Sequence, residues 1–134
     1  MLKVWQVALL MLLGAAMWAL VTVNLRHHPE ASLRSKNVLV MLVSAPIAGF
    51  VSVWLCKVVG RLTPEQILPG VVVVGAVAML MDGIALRWFA DLYAQSDKAL
   101  RLSAADLLWG YGVGLAAALV WRWTTLARNT AISR

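Results

Sequence analysis

Four long apolar stretches, separated by short polar connections, dominate the hydrophobic pattern of the chain. They run over about 4–24, 38–57, 69–89 and 104–123. A helix rises about 1.5 Å per residue and needs about 20 mostly apolar residues to cross about 30 Å of hydrocarbon, so each stretch is long enough for one span. The pattern predicts an all-α fold: a single transmembrane domain over 1–134, built as an integral membrane bundle of four antiparallel transmembrane helices.

Two polar tetrapeptides predict where the third and fourth helices begin. Thr63 to Gln66 (TPEQ) offers an N-cap threonine, a first-turn proline and the glutamine of a capping box. Ser103 to Asp106 (SAAD) offers a second capping box, without a proline and with an aspartate at the third helical position. The second motif explains Asp106 as a capping residue of the fourth helix.

The composition supports a location in a bilayer. The 134 residues are 62% hydrophobic and 13% charged, with a mean hydropathy of +0.81, which is far from the balance of a soluble domain. The net charge is +6, but the twelve basic residues are scattered at the ends of the apolar stretches. This distribution favours lipid head groups over nucleic acid as their partners. We therefore predict a multi-pass membrane protein with no nucleic-acid partner.

The distribution of basic residues gives little indication of how the spans are oriented in the membrane. Four spans put both termini on one side of the membrane, and six basic residues fall on each side. Acidic residues offset the charge on the side opposite the termini, which favours cytoplasmic termini, although acids contribute little to this rule.

One acidic residue, Asp82 in MLMDGIAL (79–86), lies well inside the third apolar stretch. It follows Pro69 by thirteen residues, which places it about 20 Å along the span. An unpaired carboxylate in hydrocarbon costs about 2.5 to 3.5 kcal/mol at the helix centre and less towards the edge, so we expect a partner. The same layer of the predicted bundle offers a candidate polar cluster with Asp82: Asn24, Arg26, Arg87 and Arg101.

Three roles are open for Asp82. As a structural anchor, it accepts a charge-assisted hydrogen bond from one of the three arginines and fixes how the helices meet. As a proton or ion site, it titrates within the membrane. A metal site with His27 and His28 is the least favoured, because adjacent histidines beside a proline lack the helical spacing of a preformed ligand pair.

Small residues four apart predict close helix contacts. Gly110, Gly114 and Ala118 form such a stripe on the fourth helix, and Gly14 lies among small residues of the first. The trio is interpreted as packing within the monomer or, alternatively, as the interface of a homodimer. Trp18 and Trp109 lie deep in their stretches and are interpreted as packing residues as well.

Catalytic motifs are missing from the sequence. It contains no G-x-S-x-G, no H-E-x-x-H and no glycine-rich phosphate loop after a strand. The segment GYGVG (110–114) lies inside a predicted span and is interpreted as packing. The single cysteine, Cys56, provides neither a disulfide framework nor a thiolate cluster. We predict no enzymatic activity, no catalytic residues, no cofactor and no metal.

Three segments occur in a characteristic order: LTPEQILPG (62–70), MDGIALRWFADLY (81–93) and LLWGYGVGLAAAL (107–119). In this order they resemble a family of small bacterial four-helix membrane proteins classed as a domain of unknown function. The resemblance covers about 4–123. It implies the four-helix fold and a location in a bacterial inner membrane, and it supports Asp82 as a candidate functional residue without implying a substrate. Small multidrug-resistance transporters share the four-helix size, but the stretch 4–24 has no acid to match the glutamate in their first helix.

Two functional hypotheses follow. The first is a non-catalytic accessory or structural membrane protein, packed in the bilayer as a homodimer or against a larger membrane complex. The alternative is a small transporter or ion-conducting oligomer in which Asp82 is the titrating site.

Overall fold

The computed structural model describes residues 1–27, 38–94 and 96–132, and these ranges contain helices and no strand. The four α-helices are α1 (Val4–His27), α2 (Val38–Gly60), α3 (Ile67–Trp88) and α4 (Asp97–Ile132). Short 3-10 turns over Pro64–Gln66 and Ala90–Leu92 precede and follow α3. All four helices are long and apolar enough to cross a membrane, as the hydrophobic pattern predicts.

The start of α3 lies where the first capping motif predicts it. The Thr63 backbone N–H donates to Gln66 Oε1 at 3.1 Å, and the 3-10 turn then leads directly into α3. Pro69 lies in the first turn of α3, where a missing backbone N–H removes no intrahelical hydrogen bond.

The start predicted for the fourth helix is wrong. α4 begins at Asp97, and Ser96 Oγ accepts a hydrogen bond from the Ala99 N–H at 3.3 Å. The residues from Asp97 to Leu102 (DKALRL) are mostly good helix formers, and Ser96 supplies an earlier cap. Ser103 and Asp106 therefore lie inside α4, and capping does not explain Asp106.

A buried glutamine joins the helices at one end of the molecule. Gln6 in α1 is 3% exposed; its Nε2 donates to the Gly60 carbonyl oxygen at 2.8 Å, at the end of α2. Nearby, Gln66 Nε2 donates to the Met1 carbonyl oxygen at 2.7 Å. The start of α1, the end of α2 and the turn before α3 thus lie together.

α1 packs mainly against α3, and α2 packs mainly against α4, while α3 contacts all the other helices. The tightest approach between α1 and α3 is at Gly14. A Cβ atom on Gly14 would lie 2.7 Å from the Val74 carbonyl oxygen and 3.2 Å from the Val77 Cβ. The absence of a side chain at this position allows the two backbones to touch.

The small-residue stripe predicted on α4 occupies different environments. Ala118 is fully buried in the core. The Gly114 Cα lies close to α2, because a Cβ atom on Gly49 would lie 3.5 Å from it, but a Cβ atom on Gly114 itself would meet nothing within 4 Å. Gly110 likewise borders open space, because a Cβ atom there would meet nothing within 4 Å.

The core lies towards the Gln6 end, and large apolar side chains elsewhere face outward. Buried core residues come from all four helices and the turn after α2; they include Leu10, Val53, Cys56, Ile67, Val71, Val74 and Ala118. Five outward-facing side chains are between 61 and 72% exposed: Leu12, Leu20, Ile47, Leu80 and Leu108. An apolar surface of this kind fits lipid chains and is unusual for a soluble monomer.

Candidate functional site: the Asp82 cluster and the cavity beside it

Asp82 lies in the last two turns of α3 and is 5% exposed. Its two carboxyl oxygens accept hydrogen bonds from two different tyrosines. The Tyr93 hydroxyl donates to Oδ1, and the Tyr111 hydroxyl donates to Oδ2. Tyr93 belongs to the connection after α3 and Tyr111 to α4, so one carboxyl group joins three parts of the chain.

Tyr93 extends this network to α1. Trp18 Nε1 lies 3.0 Å from the Tyr93 hydroxyl oxygen, and Thr22 Oγ1 lies 3.5 Å from it. An indole N–H can only donate, so the Tyr93 oxygen accepts from Trp18 and its own proton is directed to Asp82. We call these five residues the Asp82 cluster: Trp18, Thr22, Asp82, Tyr93 and Tyr111.

The turn after α3 folds the chain back, so that Tyr93 lies against the helix that it follows. The Phe89 N–H donates to the Ala85 carbonyl oxygen at 2.8 Å and ends α3, and the 3-10 turn then reverses the chain. The Tyr93 N–H closes this turn on the Ala90 carbonyl oxygen at 3.0 Å. As a result Tyr93 is 1% exposed, and it is the largest fully buried side chain in the described part of the chain.

The Tyr93 hydroxyl loses its proton less readily than that of an ordinary tyrosine. Burial raises the pKa of its hydroxyl above the usual value, and the hydrogen bond to the Asp82 carboxyl raises this pKa further. Both effects disfavour a phenolate, because ionised Tyr93 would be poorly solvated and would face another negative charge. The neutral hydroxyl therefore serves as a hydrogen-bond donor.

The arginine pairing expected for Asp82 is replaced by these tyrosines. Arg26, Arg87 and Arg101 are all exposed, and no ion pair joins any of them to Asp82 within the described ranges. Arg87 follows Asp82 by five residues, which places it about 140° away around the helix. Arg101 Nε instead lies 3.4 Å from the Asp97 carbonyl oxygen.

The other predicted polar residues lie away from Asp82 or outside the described chain. Asn24 and His27 are exposed near the end of α1. His28 lies outside the described residues. Where the structure is described, no group of three His, Cys, Asp or Glu side chains is arranged to hold a metal ion.

A cavity of about 260 Å³ lies beside the Asp82 cluster and is lined by all four helices. Asp82, Tyr111 and Trp18 of the cluster line it, as does Asp106, and it extends as far as the core residues Cys56 and Val71. Small residues form much of the wall on α2 and α4: Ala45, Ala48, Gly49, Gly110 and Gly114.

Reasoning from the sequence missed both tyrosines as partners, although a signal was present. Tyr93 closes the segment MDGIALRWFADLY, which also holds Asp82, and Tyr111 lies in LLWGYGVGLAAAL. Two of the three segments on which the predicted family resemblance rests thus contain the aspartate and both hydroxyl groups that bind it. Trp18, interpreted as a packing residue, also donates a hydrogen bond.

Comparison with known proteins adds no identity to this description. No family model matches the chain, and neither a curated protein nor a solved structure is significantly similar to it.

Proposed function

We propose that the chain is a non-catalytic accessory or structural protein of a bacterial inner membrane. In this proposal its four helices are antiparallel, both termini lie in the cytoplasm, and no cofactor or metal takes part. Membership of the family of small four-helix proteins of unknown function, indicated by its three sequence segments, belongs to the same proposal.

The Asp82 cluster is the observation that carries the structural role. Both oxygens of the Asp82 carboxyl group are used for contacts within the chain, and these contacts connect α1, α3, α4 and the turn after α3. A buried polar group that is fully hydrogen-bonded favours one arrangement of helices, because every alternative leaves it unsatisfied in hydrocarbon. The cluster is therefore best explained as an anchor for the bundle.

An accessory role requires a partner within the membrane. The outward-facing apolar side chains suit lipid as well as a neighbouring helix, and the partner is a larger membrane complex or a second copy of the chain. Purification of the tagged protein from its native membranes in a mild detergent tests this. We expect a partner in fixed proportion or a homodimer; a monomer free of any partner at several detergent concentrations would contradict the accessory role.

The second candidate is a small transporter or ion-conducting oligomer in which Asp82 titrates. It is supported by the cavity, which brings two carboxyl groups, those of Asp82 and Asp106, to one space between the helices. This candidate predicts a pH-dependent flux in proteoliposomes that Asp82→Asn abolishes while the melting temperature stays unchanged. Asp91→Asn, which alters an exposed aspartate in the turn after α3, is the matched control. An anchor predicts the reverse: a lower melting temperature and no flux to abolish.

A further inference from the structure

The cavity beside the Asp82 cluster is large enough for a small organic molecule. Apolar cavities of about 150 Å³ hold benzene, and typical ligand pockets begin at about 300 Å³. With about 260 Å³, this cavity accommodates one aromatic ring with a short branched substituent. Three lining glycines, Gly75, Gly110 and Gly114, leave this space open, because a Cβ atom on any of them would meet nothing within 4 Å.

The charged side chains that line the cavity are all acidic. Asp82 and Asp106 line the cavity, and no lysine, arginine or histidine does. Ser52 is occupied by its own helix, since its Oγ donates to the Ala48 carbonyl oxygen at 2.8 Å. The remaining wall is almost entirely apolar, so a complementary ligand combines an apolar body with one positive charge.

Asp106 is the group that remains to meet such a charge. Both oxygens of Asp82 already accept tyrosine hydroxyls, whereas the Asp106 side chain has no hydrogen bond or ion pair with any described residue. Asp106 lies inside α4 and has no capping role. The aromatic side chains of Trp18 and Tyr111 line the same cavity and can offer their rings to a cation.

We propose that this cavity is a binding site for a lipophilic organic monocation, with Asp106 facing the positive charge and Asp82 held in place as a second negative group. The site does not depend on the accessory role, because an anchored bundle and a transporter could both contain it. If the purified protein has no protein partner, the accessory proposal is refuted and the cation site is unaffected. If the cavity binds no cation, the cation site is refuted and the accessory proposal is unaffected.

Equilibrium binding of radiolabelled benzyltrimethylammonium to the full-length, detergent-purified protein tests the proposal. We expect saturable binding with one site per chain. Asp106→Asn should weaken binding by about tenfold or more, because it removes the charge that faces the ligand. Asp91→Asn changes an exposed carboxyl group outside the cavity and should bind as the unmodified protein does.

Filling the cavity should abolish binding. Gly110→Leu introduces a side chain into the open space, and Gly75→Leu does so from α3, which provides a second test if either variant fails to fold. Gly112→Leu is the matched control, because Gly112 is also on α4 with free space around it but does not line the cavity. Its affinity should remain unchanged.

The uncharged isostere neopentylbenzene distinguishes a cation site from a space filled by lipid chains. We expect it to compete poorly with benzyltrimethylammonium for the unmodified protein. Equal competition would overturn the proposal in favour of an apolar or acyl-chain site. Absence of saturable binding up to millimolar concentrations, or unchanged binding by Asp106→Asn, would overturn it as well.

Discussion

At the scale of single residues, Asp82 and its two tyrosines make the sharpest prediction. Asp82→Asn keeps one acceptor oxygen, but its amide group cannot accept the second tyrosine proton. Hydrogen bonds to charged groups contribute about 1.5 to 3 kcal/mol, so we expect the free energy of unfolding to fall by about 1 to 2 kcal/mol. Thermal or denaturant unfolding in detergent measures this loss.

A double-mutant cycle identifies the partner. Asp82→Asn and Tyr111→Phe should be coupled by about 0.5 kcal/mol or more, because one removes the carboxyl charge and the other the hydroxyl group that donates to it. Asp82→Asn and Arg87→Gln should be additive, since Arg87 is exposed and points away from Asp82. Coupling of Asp82 to Arg87 and none to Tyr111 would instead support the ion pair with an arginine that the sequence predicted.

Tyr93 predicts how stability depends on alkaline pH. Its pKa in the folded protein is raised above the ordinary value of about 10, so the folded state holds this proton more tightly than the unfolded state. The resulting stabilisation is complete below pH about 10 and is lost as the pH rises through the higher folded-state pKa. We expect the melting temperature to fall more steeply above pH about 10 than it does for Tyr93→Phe. Parallel curves for the two proteins would contradict this.

The sequence identifies Asp82 but not its partners, for a physical reason. A carboxyl group in an apolar stretch is conspicuous by composition alone, whereas its partner depends on how each helix is rotated about its axis. Arginine is the stronger partner by charge, but Arg87 lies on another face of α3. Tyr93 reaches Asp82 only because a 3-10 turn folds the chain back after Trp88, and no hydrophobic period signals such a turn.

At the scale of helices, the close contact of α1 with α3 depends on Gly14. Gly14→Ala would place a Cβ atom 2.7 Å from the Val74 carbonyl oxygen, and a backbone atom cannot move aside as a flexible side chain can. Overpacking costs about 1 to 3 kcal/mol, against a gain of about 1 kcal/mol in helix propensity. We expect a net loss of up to about 2 kcal/mol in the free energy of unfolding.

Gly83→Ala is the control for this substitution. Gly83 lies inside α3, and a Cβ atom there would meet nothing within 4 Å. Here only the gain in helix propensity operates, so stability should stay unchanged or rise by up to about 1 kcal/mol. A loss at Gly83 equal to that at Gly14 would mean that the close contact is not the cause.

Helix existence was easier to predict than helix boundaries. Each apolar stretch is a helix in the structure, as expected for a segment that must satisfy its backbone hydrogen bonds internally if it lies in hydrocarbon. The start of α4 was misplaced because SAAD and Ser96 both offer a serine cap, and the polar turn between them is helical by propensity. This error hid Asp106, which seemed explained by capping until the longer α4 placed it in the wall of the cavity.

At the scale of the whole molecule, the four spans predict which connections reach each side of the membrane. Thr63 and Ser96 are both exposed, one before α3 and the other just before α4. With cytoplasmic termini, an impermeant maleimide on intact cells should label Ser96→Cys but not Thr63→Cys, in a background with Cys56→Ala. Labelling of both would contradict the four-span arrangement, and labelling of Thr63→Cys alone would reverse only the orientation.

The Asp82 cluster is built from residues that are synthesised at different times. Tyr111 follows Asp82 by 29 residues, so at about 5 to 20 residues per second the ribosome adds it about 1.5 to 6 seconds later. If α3 enters a bilayer in that interval, one oxygen of Asp82 still lacks its tyrosine. The most apolar 18-residue window of Pro64–Trp88 has a mean hydropathy of 2.2, close to the 2.1 of α1 and above the 1.4 of the segment from Asp97. For a helix inserted in this order, the apolar side chains of α3 would offset the cost of the Asp82 carboxyl group until Tyr111 of α4 binds it.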